Sequence, residues 1–190
     1  MFLLRRPADR DLDRFVTRAK RLPLTYWPVG LARQSAPAPV GYRVGEAAGV
    51  LGHGEAVFTR ASRLLDQWRQ FDLGWAGVYP TDAPPEMGTT IAIYAQHLGF
   101  WSVHACRVVY TLEPDAGFAY GTLADHAETG EEIFRVSMDS TTGAVTYFIR
   151  AVSHERALLA RLGTPIAQRF QDRFRRDSAA AMRRHISTVR

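Results

Sequence analysis

The chain has 190 residues, 46% hydrophobic, 11% aromatic and 23% charged, a length and balance that fit one globular domain and exclude a disordered, collagenous or coiled-coil polymer. Its formal net charge of +5 rests almost wholly on arginine, Lys20 being the one lysine among 24 basic residues. A single cysteine, Cys106, excludes an internal disulfide framework, a CxxC redox pair and a zinc ribbon.

Phe2, Leu3 and Leu4 are followed at once by Arg5 and Arg6, too short an apolar run for a secretory signal. No stretch approaches the roughly 20 apolar residues of a spanning helix. A soluble cytoplasmic protein is the expectation. Residues 9–21 place Asp9, Asp11 and Asp13 before Arg18, Lys20 and Arg21, the charge order that complements a helix dipole and predicts a short helix. Pro23, Pro28, Gly30, Pro37, Pro39 and Gly41 then mark an irregular wrap, with one extended piece at Thr25–Tyr26–Trp27.

A strand is expected near Tyr42–Val50, and Gly49, Gly52 and Gly54, which precede a helix, read as a turn and helix entry that lacks the residues of a phosphate-binding loop. From Gly54 to Phe71 the apolar Phe58, Ala61, Leu64, Leu65 and Trp68 recur at three- and four-residue steps, an amphipathic helix. Five strand-like runs follow, Thr89–His97, Trp101–Leu112, Phe118–Asp125, Glu131–Asp139 and Ala144–Ser153, with turn residues between them. Their short connections describe an antiparallel meander. After His154 a long helix is predicted, broken near Gly163–Thr164–Pro165, with Leu158, Leu162, Ile166, Phe170 and Phe174 on one face. The expected fold is therefore α+β: a curved antiparallel sheet of about six strands gripping a long C-terminal helix, with an extra N-terminal helix and loop. It forms one domain over 1–190, divided into an N-terminal helix and wrap (1–41), a helix plus meander (42–153) and a C-terminal helix (154–190).

Strand parity gives the sharpest candidate. Phe134, Val136 and Met138 alternate on one face and Glu132 shares it, whereas Glu131 falls with Arg135 and Ser137. Glu132 therefore points toward the core or a cavity, where a carboxylate must be paired, hydrogen-bonded or protonated. On the preceding long strand Cys106, Val108, Tyr110 and Leu112 share one face and Arg107 the other, free to meet a carboxylate across the sheet. His126, Glu128, Glu131 and Glu132 gather in and beside a strand connection, ligand types suited to a metal or to acid–base work at a spacing that matches no metal signature. Neither Cys106, among apolar neighbours, nor the adjacent Ser153 and His154, which face opposite sides of a strand, makes a nucleophilic site. No metal or cofactor is assigned.

Divided along the chain, the charge is uneven. Residues 1–22 carry seven basic and three acidic groups, residues 154–190 nine and three, and the middle eight and thirteen. The basicity belongs to the termini, whose helices read either as solvated faces or as surfaces for anionic lipid. Nucleic acid has little support, since no base-stacking aromatic motif is present.

Cys106–Arg–Val–Val–Tyr110, Gly117–Phe–Ala–Tyr–Gly–Thr–Leu123, His126 and Gly130–Glu–Glu–Ile–Phe134 closely resemble the central signature of uncharacterised protein family 0548, found in bacteria and plants. The resemblance extends to Thr25–Tyr–Trp–Pro–Val–Gly30, Gly52–His–Gly54 with Phe58, Ala61, Leu64 and Trp68, Gly74–Trp75 and Gln171–Asp–Arg–Phe174, and so covers nearly the whole chain. The family usually has Pro where this chain has Ala127, and Arg–Pro where it has His154–Glu155. No established activity comes with it. The layout it implies is similar to START-like helix-grip domains, many of which hold apolar ligands or lipids between sheet and helix.

Three functional readings follow. The first is binding of a hydrophobic, lipid-like or polyketide-like small molecule under the terminal helix, with Arg107, Tyr120, Thr122, Glu132 and Tyr147 as the polar set and Trp75 and Trp101 as walls. The second is an enzyme using Glu132 or the His126–Glu128 region for proton transfer. Peripheral association of the Arg-rich termini with an anionic membrane is a third. The sequence does not determine the oligomeric state.

Overall fold

The computed structural model describes residues 2–33, 37–155 and 157–188, with the side chains of the last helix described from residue 168. Eight strands form a single antiparallel sheet: β1 (Phe2–Leu3), β2 (Arg43–His53), β3 (Ala76–Tyr79), β4 (Thr90–His97), β5 (Phe100–Thr111), β6 (Ala116–Thr122), β7 (Glu128–Met138) and β8 (Ala144–Glu155). Their order across the sheet is β2–β8–β7–β6–β5–β4–β3, with β1 paired beside β5. From β3 to β8 each strand pairs with its successor in the chain, so the meander read from the turn residues is the sheet's backbone. The two-residue β1 and four-residue β3 are too short to show an alternating pattern of their own.

The sheet curls around α3 (Ala157–Ser187), with α2 (Glu55–Asp66) and a 3-10 turn at Arg69–Phe71 beside it. Phe118, Phe134 and Val136 from the sheet, Leu65 and Trp68 from the α2 region, and Ala179 and Met182 from α3 form this inner core. Trp68 approaches the rings of Phe71 and Phe118, and Phe134 those of Phe71, Phe118, Tyr120 and Phe174. Burial of one such side chain contributes roughly 1.5–3 kcal/mol. On β2 a Cβ at Gly45 would collide with the Arg175 guanidinium, so the absent side chain makes room for α3. Gly49 and Gly52 lie within β2, with a register shift between Val50 and Gly52, and not in a turn. Gly54, at φ 86°, caps α2.

Both faces of the sheet are covered. On the outer face α1 (Asp9–Ala19) buries Leu12, Phe15, Val16 and Ala19 against Ala92, Val103, Ala105 and Leu123. The Pro-rich wrap continues the cover, Tyr26, Leu31 and Ala32 packing on Tyr110, Ala119, Ile133 and Phe148. Glu131 fastens it. Its carboxylate accepts hydrogen bonds from Tyr26 Oη (2.7 Å), Tyr110 Oη (2.7 Å), Gly30 N (2.8 Å) and Ala32 N (3.0 Å), and it is only 2% exposed. Tyr26 reaches it across Gly121, where a Cβ would strike the tyrosine ring.

Tyr110 joins this network because a register shift between Val108 and Tyr110 turns the end of β5 over. Uninterrupted alternation would have left Tyr110 beside Cys106 on the inner face. The terminal helix runs without a break across Gly163–Thr164–Pro165. Of the stripe read on its face, Leu158, Leu162 and Ile166 lie outside the described side chains, while Phe170 and Phe174 turn toward the sheet.

Candidate functional site

Between the inner sheet face and α3 lies a cavity of about 650 Å³, within the size range of small-molecule sites. Phe71, Ile93, Phe100, Phe170 and Phe174 supply much of its apolar wall. One group of its polar side chains comes from β6, β7, β8 and α3, because the inward parity of three adjacent strands aligns Tyr120, Glu128 with Glu132, and Ser153.

Tyr120 donates its hydroxyl to Glu132 Oε2. Glu128 Oε2 accepts from Ser153 Oγ at 2.9 Å and Oε1 from Gln171 Nε2 at 2.6 Å, which ties β7 to β8 and α3. Burial raises the Glu132 carboxyl to about 7; the Tyr120 hydroxyl and the Arg175 charge act against that rise and Glu128 adds to it. Burial likewise raises Glu128, against the hydrogen bonds from Ser153 and Gln171. Burial and the neighbouring Glu132 push the Tyr120 hydroxyl well up.

Three histidines line the same space. His104 and His126 stack with ring centroids 4.7 Å apart, and His126 Nδ1 accepts the Glu128 N–H at 2.9 Å. Burial, and then His126, holds His104 well below the ordinary imidazole value; burial, and then Arg173, lowers His97. His97 Nε2 meets Ser102 Oγ at 2.9 Å. Among the described residues no cluster of three or more His, Cys, Asp or Glu side chains is placed to hold a metal ion.

Of the residues read from the sequence, Tyr120, Thr122, Glu132 and Trp75 line the cavity. Thr122 is occupied structurally: its Oγ1 accepts from Gly130 N at 2.9 Å and meets Thr25 Oγ1 at 2.5 Å. Trp75 donates from Nε1 to Asp177 at 2.9 Å, under the Arg173 guanidinium at 4.4 Å. Tyr147 faces inward but is sealed in the core, its hydroxyl 2.7 Å from Ser178 Oγ.

Arg107 and Trp101 lie on the other face of β5. Arg107 meets no carboxylate; it donates to the carbonyls of Ala19 (3.3 Å), Lys20 (2.9 Å) and Leu22 (3.1 Å), closing the C-terminal end of α1. Trp101 packs beside Tyr94. Both follow from parity, since Ser102, His104 and Cys106 take the inward positions between them. Cys106 itself is buried, its thiol pushed well up by burial and then by Glu132, and His154 turns away from Ser153 to pack on Tyr42.

Glu128, Gln171, Arg175 and His104 are site residues that parity alone did not single out. Glu128 was within reach: starting β7 three residues earlier places it two steps before Glu132, on the same face. The basic terminal helices do not form one surface, as α1 lies outside the sheet and α3 inside. Several of their arginines are engaged, Arg18 with Asp125, Arg173 with Asp177 and Arg175 with Asp172.

A curled antiparallel sheet around a long C-terminal helix, with a cavity between them, defines a START-like helix-grip protein. The chain belongs to the family described as Domain of unknown function (DUF1990), whose model matches residues 25–181. A UPF0548 protein of Deinococcus radiodurans is 30% identical, the match covering 91% of this chain and 92% of the relative. One of Dictyostelium discoideum is 29% identical over 99% of this chain and 97% of its own. Solved structures agree on fold. Ara h 8.0201 superposes with a TM-score of 0.54 at 12% identity, covering 78% of this chain and 100% of that one. The major latex-like protein 151 of Panax ginseng gives 0.53 at 11%, over 77% and 99%. Truncated norcoclaurine synthase from Thalictrum flavum gives 0.52 at 8%, over 78% and 96%.

Proposed function

We propose that the protein binds a hydrophobic small molecule in the cavity between the sheet and α3. The observation that carries this is the cavity's composition: about 650 Å³ with an aromatic and aliphatic wall and one hydrogen-bonded polar group around Glu128 and Glu132. A core built only for stability would be close-packed, without a space of this size. The helix-grip fold is compatible with the reading and does not by itself supply it. The neutral fluorophore N-phenyl-1-naphthylamine is expected to bind with a stoichiometry of one per chain. Ala151→Phe, which places a ring in the cavity from the inner face of β8, is expected to weaken that binding by tenfold or more, about 1.4 kcal/mol, with the far-UV spectrum unchanged. Equal binding by wild type and variant would refute the site.

Proton transfer to a bound molecule is a second reading, favoured by Glu132 standing near 7 inside a cavity, where an acid–base group is half ionised at neutral pH. It requires that the protein exchange a carbon-bound hydrogen of its ligand with solvent deuterium in a Glu132-dependent way.

A further inference from the structure

Resting on the reading of the cavity as a ligand site, we infer that it selects amphiphiles with an ammonium head, held between the Glu128 and Glu132 carboxylates with the apolar chain among Phe71, Ile93 and Phe174. The basis is a charge account of the cavity wall. Two carboxylates face the interior, and the hydrogen-bond partners found for them, Tyr120, Ser153 and Gln171, are neutral donors. Tyr120 occupies only Oε2 of Glu132; no described donor reaches Oε1. Among the described residues the one cation on the wall is Arg175, whose charge favours ionised Glu132 but which is joined to Asp172 of its own helix at 2.5 Å and forms no ion pair with either glutamate. The cavity therefore holds more acceptor and negative character than its own residues compensate.

The groups facing Glu132 leave that imbalance standing. On its own strand is Glu128; on β6, Tyr120; on β5, Cys106 and His104; on β8, Tyr147; on α3, Arg175. Burial holds Tyr120, Tyr147, Cys106 and His104 in their neutral forms. His126, in the connection before β7, accepts the Glu128 N–H at Nδ1. In the empty cavity burial favours the protonated carboxyls, raising Glu132 to about 7 and Glu128 in the same direction. An ammonium would replace those protons with charge-assisted hydrogen bonds, the stronger kind, whereas a carboxylate head would add a third negative group.

Displacement of N-phenyl-1-naphthylamine from the full chain by n-decylamine, decan-1-ol and decanoate, each below its micelle concentration, tests this. Decylamine is expected to bind on the order of tenfold tighter than decanol, with decanoate weakest. Decylamine stays charged from pH 6 to pH 8, and its advantage should grow over that range as Glu132 ionises. Glu132→Gln should reduce the advantage to less than about threefold and remove its pH dependence. Decanol or decanoate binding as well as decylamine, with the fluorophore still bound, would overturn the ammonium preference and leave the cavity site standing. Failure of the fluorophore to bind would overturn the site, and this inference with it.

Discussion

Glu131→Gln is expected to lower folding stability by about 3 kcal/mol in urea unfolding at pH 7. The wild-type carboxylate accepts four hydrogen bonds, two from tyrosines and two from backbone amides of the wrap. Glutamine keeps the volume but presents an amide N–H₂ where one oxygen stood. A tyrosine hydroxyl can rotate to accept from it; the backbone N–H of Gly30 or Ala32 cannot, and two donors are left facing each other without water. Residues 26–32 then lose one of the two backbone hydrogen bonds that tie them to residue 131, so amide exchange should quicken there first. A change below about 0.5 kcal/mol would mean that Glu131 does not fasten the wrap.

The neighbouring residue has the opposite sign. Glu132→Gln is expected to stabilise the protein at pH 8 by about 3 kcal/mol and to leave it nearly unchanged at about pH 3.5. Well below the ordinary carboxyl value of 4.5 the group is protonated in folded and unfolded chains alike, and its contribution is intact. As pH rises, the unfolded chain gives up its proton first, while the folded chain retains it until about 7. Wild-type stability therefore declines through that window and levels off above it. Glutamine carries no titrating proton and still accepts from Tyr120, so the difference between the two proteins should open from about pH 4 and level off near pH 8. A constant difference, or a loss at pH 8, would show Glu132 ionised at little cost in the folded state.

These adjacent carboxylates also mark where sequence reasoning succeeds and where it stops. Alternation along β7 separated Glu132 from Glu131 correctly, because the side-chain period of a strand is two whatever the rest of the fold does. It suggested that only one of them was buried, since nothing local shows that a Pro-rich segment a hundred residues earlier covers the second face. Tyr110 was misplaced for another physical reason: one extra residue at a bulge inverts every later side chain. Arg107 read as a partner for a carboxylate because its strand position says which face it takes; what lies on that face, here the end of α1, is tertiary information. The meander and the long last helix were legible because turn residues and four-residue apolar steps are local signals. The cavity followed from the resemblance in layout and not from a local signal, and its volume was not legible, since that depends on how far α3 stands from the sheet.

The central claim, a ligand seated between sheet and helix, is tested most directly by methyl NMR of the ¹³C-labelled full chain at saturation with decylamine. The account predicts ligand-to-methyl Overhauser contacts and shifts at Ile93, Ala95 and Ala151, on the cavity wall, with Val103 and Ala119, buried under the outer cover, unmoved. Contacts confined to the outer face, or none at any of these methyls, would contradict it.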